Sequence, residues 1–288
     1  MHGDQLVNFA ASLLTGVALL VVISLGLAVI FGMMGVINLA HGEFLMLGAF
    51  FTLSGVRAGL NVWLAMIVAA LAVGLVGLAV ERLLIQFLYG RLASTMLATW
   101  GLSLILVQVV VLAYGPATQG IPTPLGAVRV GRYSLSEYNL VLIVAALLLV
   151  AVVFLVFTRT RYGTMARAAT QLPDMAGAVG INARRVNMLT FGFGAALAGA
   201  GGALLAPVAG VVPSMGQAYV GRAFMTVVVG GPGVLTGTAT AAGLLGSVDS
   251  LVSNAFSSFL GTASLLVVAI VLLRLLPTGI SGRWRRQL

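Results

Sequence analysis

Long apolar runs, interrupted by short charged or glycine-rich segments, make up most of this chain. The run over 5–40 contains no charged residue, and it is longer than the roughly 20 residues that one helix needs to cross a bilayer. It must break or re-enter, because only helices and closed barrels cross the hydrocarbon core. The pattern predicts an all-α, polytopic integral membrane protein, one domain over 1–288, with about eight to nine transmembrane segments that include broken or re-entrant helices.

Arginine residues between the apolar runs predict which loops are cytoplasmic, because cytoplasmic loops carry an excess of basic residues. The clearest markers are Arg82, Arg91, the cluster within 159–185, and the tail residues Arg283, Arg285 and Arg286. Alternation of the crossings then gives a cytoplasmic loop over about 159–186, an external loop over about 115–137 and a cytoplasmic C-terminus. The side of the N-terminus stays open. The predicted single crossings are 61–80, 92–114, 138–158, 187–207 and 261–276.

A glycine-rich turn lies in the middle of 217–253, at Gly230, Gly231 and Gly233. Two short crossings hinged at this turn satisfy the required alternation of sides. The turn loosely resembles the glycine-rich segment near Gly42, as corresponding breaks do in the internal repeats of transporters. The three glycines are therefore candidates for residues that line a pathway.

Asn38, His41 and Glu43 place an amide, an imidazole and a carboxylate inside an apolar run, and polar groups at membrane depth are functional candidates. His41 and Glu43 point to different faces of a continuous helix, so we expect the helix to break around Gly42 and bring them together. Two roles are open. The side chains either hydrogen-bond the backbone groups freed at the break, or they contact a solute.

Three further side chains stand out within the predicted crossings. Arg222 and Asp249 lie on opposite sides of the glycine-rich turn, and we expect them to pair, because two membrane charges cost less when they neutralise each other. Trp100 is either an interfacial belt residue or a pathway-lining residue.

Composition narrows the class of protein. Hydrophobic residues make up 60% of the chain and charged residues 7%, with a mean hydropathy of +1.14, whereas about a quarter of a soluble domain is charged. The net charge of +9 follows from cytoplasmic arginines and requires no nucleic acid. All 15 basic residues are arginine, so the chain has no Walker A lysine. Energy must come from an ion gradient or another chain.

Catalytic and metal sites are not predicted. The chain has no cysteine, and a single His-x-Glu lacks the second histidine and third ligand that a zinc protease helix needs. No nucleophile and base occur at a persuasive spacing. We therefore expect neither an enzyme nor a bound cofactor.

The predicted cytoplasmic loop is too apolar for disorder. We expect one helix over 164–171 and a second that starts at Pro173 and stops at Gly180. One interpretation is a cap that shields the bundle. The other is a coupling helix for a separate ATPase subunit, because small residues such as Ala168 and Ala176 give it a slim apolar face.

Four ordered segments resemble the permease subunits of the branched-chain amino acid ABC importers, the LivH-like family that includes urea and short-chain amide permeases. These segments are 35–44, 161–182, the turn 230–233, and Leu-Pro-Thr-Gly-Ile at 276–280. The resemblance covers nearly the whole chain, and residues 98–104 and 216–219 lean towards the urea branch.

The resemblance implies a function and a set of partners in the bacterial inner membrane. The chain would form the pathway for a small polar solute, branched-chain or hydrophobic amino acids or urea and amides, received from a periplasmic solute-binding protein. A second permease subunit, identical or different, and two ABC ATPase subunits that bind ATP and Mg²⁺ would complete the importer. The implied ATPase-docking residues are Met165, Arg167, Ala168, Pro173, Asp174, Ala176, Gly180 and Ile181.

The main alternative is a self-sufficient secondary transporter in which Glu43, His41 or Asp249 binds a proton or sodium ion. The shortage of carboxylates within the crossings and the structured basic loop count against it.

Overall fold

The computed structural model describes residues 3–130 and 133–285. Within these ranges the chain forms a bundle of α-helices, which confirms the fold class that the apolar runs predict. Arg286, the last residue of the predicted basic tail, lies outside the described residues.

Six of the described helices are long and apolar enough to cross a membrane. They are α1 (Gly3–Met34), α3 (Val62–Leu83), α4 (Leu92–Tyr114), α5 (Glu137–Arg159), α8 (Ala183–Ala209) and α11 (Ser258–Leu275). Three shorter or less apolar helices pack among them: α2 (His41–Arg57), α9 (Met215–Gly230) and α10 (Thr236–Ala255). The predicted single crossings match α3, α4, α5, α8 and α11, and the glycine-rich turn at 230–233 joins α9 to α10.

Short helices fill the connections. The predicted cytoplasmic loop forms α6 (Arg161–Gln171) and α7 (Pro173–Ala178), with proline at the start of α7. Gly180 follows with a φ of +84°, as expected for a stop. A 3₁₀ turn (Ile85–Phe87) follows α3, and α12 (Ile280–Arg285) follows α11.

A β-hairpin in the predicted external loop was not expected from the sequence. Strand β1 (Ala127–Val130) pairs antiparallel with β2 (Tyr133–Ser136). Nearby, Gln119 and Val211 exchange two backbone hydrogen bonds of 2.9 and 2.8 Å. This bridge ties the loop to the end of α8 through a contact that joins distant parts of the chain.

The bundle has two distinguishable ends. We call the end with the β-hairpin the hairpin end, and the end with α6 and α7 the loop end. α1 finishes at the loop end, where the Thr170 hydroxyl of α6 donates a hydrogen bond to the Met33 carbonyl oxygen (2.6 Å). Its first residues therefore lie at the hairpin end, opposite α6 and α7, a relation that the sequence left open.

The same succession of four helices occurs twice in the bundle, and the helices of the second copy run in the opposite direction to those of the first. α1 runs to the loop end, and after the non-helical segment 35–40 the short helix α2 runs back to the hairpin end, where Arg57 contacts Gln119. α8 runs to the hairpin end, and after 210–214 the short helix α9 runs to the loop end. α10 and α11 then correspond to α3 and α4, which makes an inverted repeat. The partner of the first break is thus 210–214, and the turn at Gly230 is a connection between antiparallel helices.

Glycines let the central helices approach closely, as small residues do in membrane bundles. A Cβ atom at Gly48 on α2 would lie 2.0 Å from the carbonyl oxygen of Gly199 on α8. One turn further along α8, a Cβ atom at Gly202 would lie 1.7 Å from the Leu45 carbonyl oxygen. Beside these contacts the rings of Phe44 and Phe191 pack edge to face, with centroids 6.0 Å apart.

We expect Gly202→Ala to lower stability strongly, because the added methyl group overlaps the α2 backbone, and overpacking costs about 1–3 kcal/mol or more. The matched control is Gly101→Ala on α4, where a Cβ atom meets nothing within 4 Å. The control should stay within about 1 kcal/mol of the original. Thermal unfolding of the purified chains in detergent measures both, and equal midpoints for the two variants would contradict the α2–α8 contact.

Candidate functional site

The first break of the bundle starts at Gly35, which has a φ of +64° and ends α1. The chain then continues without helix to Ala40, whose N–H donates to the Asn38 side-chain oxygen (3.1 Å). His41 begins α2, and its N–H donates to the Asn38 carbonyl oxygen (3.2 Å). The break therefore occupies 35–40 and lies before Gly42.

Gly42 corrects the sequence-based expectation, because it lies in the first turn of α2 with helical geometry. A Cβ atom there would lie 2.3 Å from the carbonyl oxygen of Gly216, in the first turn of α9. A Cβ atom at Gly216 would in turn lie 2.5 Å from the Gly42 backbone. Glycine is required here by the crossing of α2 and α9 and not by unusual dihedral angles.

His41 and Glu43 also differ from the expectation, because they contact different helices. The His41 ring is fully buried and its Nε2 lies 2.8 Å from the Ile23 carbonyl oxygen of α1, while Nδ1 has no partner. Glu43 is also buried, and its carboxyl group faces Ser103 on α4. The continuous helix keeps the two side chains on separate faces, as the i, i+2 spacing requires.

A stripe of hydroxyl groups on α4 was missed in the sequence. Thr95, Thr99 and Ser103 are buried and occur at four-residue spacing, so they share one face of the helix. The Thr99 hydroxyl oxygen accepts a hydrogen bond from the N–H of Leu39 in the break (3.1 Å). The i, i+4, i+8 pattern of polar residues in an apolar helix could have identified this face.

Together these side chains form what we call the polar seam: the break residue Asn38, Glu43 of α2, and the hydroxyl groups of Thr95, Thr99 and Ser103. All five are buried. The Asn38 Nδ2 group has no hydrogen-bond partner. A buried donor without a partner costs about 1–3 kcal/mol, so the seam has capacity for a further polar group.

The remaining pathway candidates lie elsewhere. Trp100 is 55% exposed on α4, and it is next in sequence to the buried Thr99, so it points away from the seam. Gly230, Gly231 and Gly233 pack against the start of α12 at the loop end, where the Gly233 N–H donates to the Ser281 hydroxyl (2.8 Å). The structure thus does not bring these four residues together with Asn38 and Glu43.

The expected ion pair between α9 and α10 is confirmed. A guanidinium nitrogen of Arg222 lies 3.8 Å from Asp249 Oδ2, and Arg222 also donates to Thr262 on α11. Within residues 3–130 and 133–285 this is the single salt bridge. The pair links three helices within the bundle.

The loop-end hairpin formed by α6 and α7 differs from expectation at Ala176. This residue is 3% exposed and packs inward, so it cannot form the outer face of α7. The outward apolar side chains are Leu172, Met175 (68% exposed) and Val179 (77% exposed). Of the expected docking residues, Met165, Pro173, Asp174 and Gly180 are exposed, whereas Arg167, Ala168 and Ile181 are partly buried.

Comparison with known proteins gives the family. The family described as branched-chain amino acid transport system, permease component, matches residues 9–276. The high-affinity branched-chain amino acid permease BraD of Pseudomonas aeruginosa is 29% identical over 91% of each chain. LivH of Escherichia coli K12 is 28% identical over 97% of each chain, and the probable LivH of Methanocaldococcus jannaschii is 28% identical over 93% of this chain and 90% of its own. No solved structure matches.

These relatives are transport permeases and not enzymes, as expected from the absence of a catalytic arrangement in the sequence. Their names refer to branched-chain amino acids, so the expected leaning towards urea permeases gains no support from them. Because the family match covers nearly the whole bundle, this chain belongs to the permease components of branched-chain amino acid transport systems.

Proposed function

We propose that this chain carries branched-chain or other hydrophobic amino acids across the bacterial inner membrane as one permease subunit of an ABC importer. The observation that carries the proposal is the family match over 9–276, in a chain whose apolar α6–α7 face is exposed at one end. Separate ATPase subunits would bind ATP and Mg²⁺, and a periplasmic binding protein would deliver the solute. A second permease subunit, identical or different, would complete the membrane part.

The polar seam is the part of the described bundle best suited to the polar end of the solute. Its Asn38 amide has an unused donor, and it borders the first turn of α2. Helix starts inside transporters favour anionic groups such as an α-carboxylate, because the helix dipole places partial positive charge there. The seam is closed in this structure, so solute access requires α4 or the break 35–40 to move.

Coupling would pass from α6 to the first break. Thr170 of α6 bonds to Met33 in the last turn of α1, two residues before Gly35. If an ATPase displaced α6 and α7, the Thr170–Met33 hydrogen bond would transmit the movement to the end of α1 and so to segment 35–40. In that segment Asn38 belongs to the polar seam, and the Leu39 N–H bonds to the seam residue Thr99.

An ion-coupled secondary transporter is the alternative. Asp249 is less suited to bind an ion, since Arg222 already pairs with it. Glu43 faces Ser103 and makes no ion pair among the described residues.

Purification under mild detergent tests the importer proposal against this alternative. Two ATPase chains should accompany this chain, and a lone chain active in liposomes would overturn the proposal.

We expect the loop end to be cytoplasmic and the hairpin end periplasmic, which places the N-terminal end of α1 outside and the C-terminus inside. Gly177 and Gly120 lie in open space at the two ends, so cysteine fits at either position of this cysteine-free chain. Gly120→Cys should react with an impermeant thiol reagent in intact cells, and Gly177→Cys only after the membrane is opened. Labelling of both from one side would refute this orientation.

We expect Glu43→Gln to leave assembly intact and lower transport about tenfold, equivalent to about 1.4 kcal/mol, because the amide keeps the contact with Ser103 and loses the charge. Thr52→Val is the matched control on α2, since the buried Thr52 hydroxyl bonds only its own helix at Gly48 (2.8 Å). Solute uptake, divided by the amount of assembled complex, measures both. Full uptake by Glu43→Gln would show that the carboxyl group serves only as a hydrogen-bonding partner.

We expect Met175→Asp to reduce uptake and ATPase stimulation about tenfold or more, because an unpaired charge would enter an apolar ATPase groove. Thr164→Asp introduces the same charge on exposed α6 and should have little effect. Ala176→Glu is a poor test, since it would disrupt the packing of α7. If Met175→Asp co-purifies with ATPase and transports normally, the exposed face of α7 is not the docking surface.

A further inference from the structure

A second polar cavity lies at the loop end, between the end of α3 and the beginning of α8. It has a volume of about 350 Å³, and its polar lining consists of Glu81, Arg82, Gln86, Asn182, Arg184 and Arg185. Met188 and Leu189 of α8 form part of its apolar side. None of the polar-seam residues lines this cavity, so it is a separate site from the Asn38 break.

None of the three arginines of this cavity forms a salt bridge within the described residues. The ion pair within the described residues joins Arg222 to Asp249, which lie in α9 and α10. Glu81 also lines the cavity, but its side chain is buried and accepts a hydrogen bond from the Tyr89 hydroxyl. Three cationic groups and one carboxylate therefore line the cavity, which leaves it with a net positive charge.

The Tyr89 hydroxyl stays hydrogen-bonded to the Glu81 carboxylate at physiological pH. Burial and the hydrogen bond to Glu81 raise the pKa of the Tyr89 hydroxyl well above its ordinary value. The hydroxyl therefore stays protonated and continues to donate to the Glu81 carboxylate. This contact holds Glu81 towards Tyr89 while the arginines stay available to an external anion.

Large apolar side chains border the arginines on the outer surface. Leu83 is 76% exposed and Phe87 is 69% exposed, and Leu189 beside the cavity is also exposed. Both α3 and α8 are membrane-crossing helices by length and composition. Exposed apolar groups at the ends of such helices face lipid, so the cavity opens where acyl chains meet headgroups.

We propose that this cavity binds the phosphate group of an anionic membrane phospholipid, with the acyl chains along Leu83, Phe87 and Leu189. Arginine suits phosphate because its planar guanidinium can donate two parallel hydrogen bonds. Basic pockets between membrane helices on the cytoplasmic side are the sites that anionic headgroups favour. A soluble phosphate would leave the apolar border unused, and an ATPase would meet lipid-facing side chains there.

The lipid would connect the end of α3 to the start of α8, which is the point where the chain passes from the α6–α7 hairpin into the bundle. Asn182 caps α8 through its side-chain oxygen and the Arg185 N–H (3.1 Å), so the arginines follow directly from the loop. The inference concerns a second site and does not depend on the identity of the solute. Its failure would leave the transport proposal untouched.

Native mass spectrometry of the full chain tests the site. The chain in detergent is titrated with phosphatidylglycerol and, separately, with phosphatidylcholine of the same acyl chains. We expect phosphatidylglycerol to bind about tenfold more tightly than phosphatidylcholine. Arg82→Gln with Arg185→Gln should weaken phosphatidylglycerol binding about 25-fold, at roughly fivefold for each arginine. Arg159→Gln with Arg161→Gln removes the same charge at the same end outside the cavity, and should change binding less than about threefold.

Further variants keep the test decisive if the double glutamine variant does not fold. Arg82→Lys with Arg185→Lys should retain at least half of the lipid preference, and Arg185→Gln alone should lose about fivefold. Equal losses in the cavity and control pairs would overturn the site in favour of diffuse attraction. Displacement of the lipid by millimolar glycerol phosphate would overturn a lipid in favour of a soluble phosphate. Unchanged lipid binding with lost ATPase co-purification would identify a protein partner and overturn it too.

Discussion

The crossing of α2 and α9 at Gly42 and Gly216 is the contact on which the arrangement of the bundle depends. Both helices start within the bundle, and their first turns approach backbone to backbone. Such an approach gains van der Waals packing energy, which holds helices together inside lipid because the hydrophobic effect between them is absent there. Moving either helix start would shift the segments 35–40 and 210–214 and so the two halves of the inverted repeat.

The same lack of water explains the polar seam. Backbone left non-helical within a membrane bundle must find hydrogen bonds from the protein, and Thr99 and Asn38 provide them for Leu39 and Ala40. The unused Asn38 donor and the buried Glu43 go beyond this structural need. The break is thus stabilised by hydrogen bonds from the protein, and the Asn38 donor and the Glu43 carboxyl group are the atoms on which the solute contact proposed above rests.

Packing at the loop end separates two surfaces that composition alone merges into one basic region. The α6–α7 hairpin presents Leu172, Met175 and Val179, and is suited to a protein groove. The arginines beside α3 and α8 border exposed lipid-facing residues instead. Both surfaces combine charged residues with exposed apolar ones. Which of the two surfaces a residue joins depends on the helix to which it belongs.

The sequence by itself determined the approximate extents of α3, α4, α5, α8 and α11, the turn between α9 and α10, the Arg222–Asp249 pair and the helices of the loop. These features follow from local hydropathy, arginine position, and proline and glycine preferences. The sequence also carried the family resemblance. Only the tertiary structure decided why Gly42 is glycine, where His41 and Glu43 point, that Ala176 faces inward, and that Thr95, Thr99 and Ser103 line the seam. Each of these depends on a neighbour distant in sequence, such as Gly216, Ile23 or Leu39, and a pattern along one helix shows which residues share a face but not which helix that face meets.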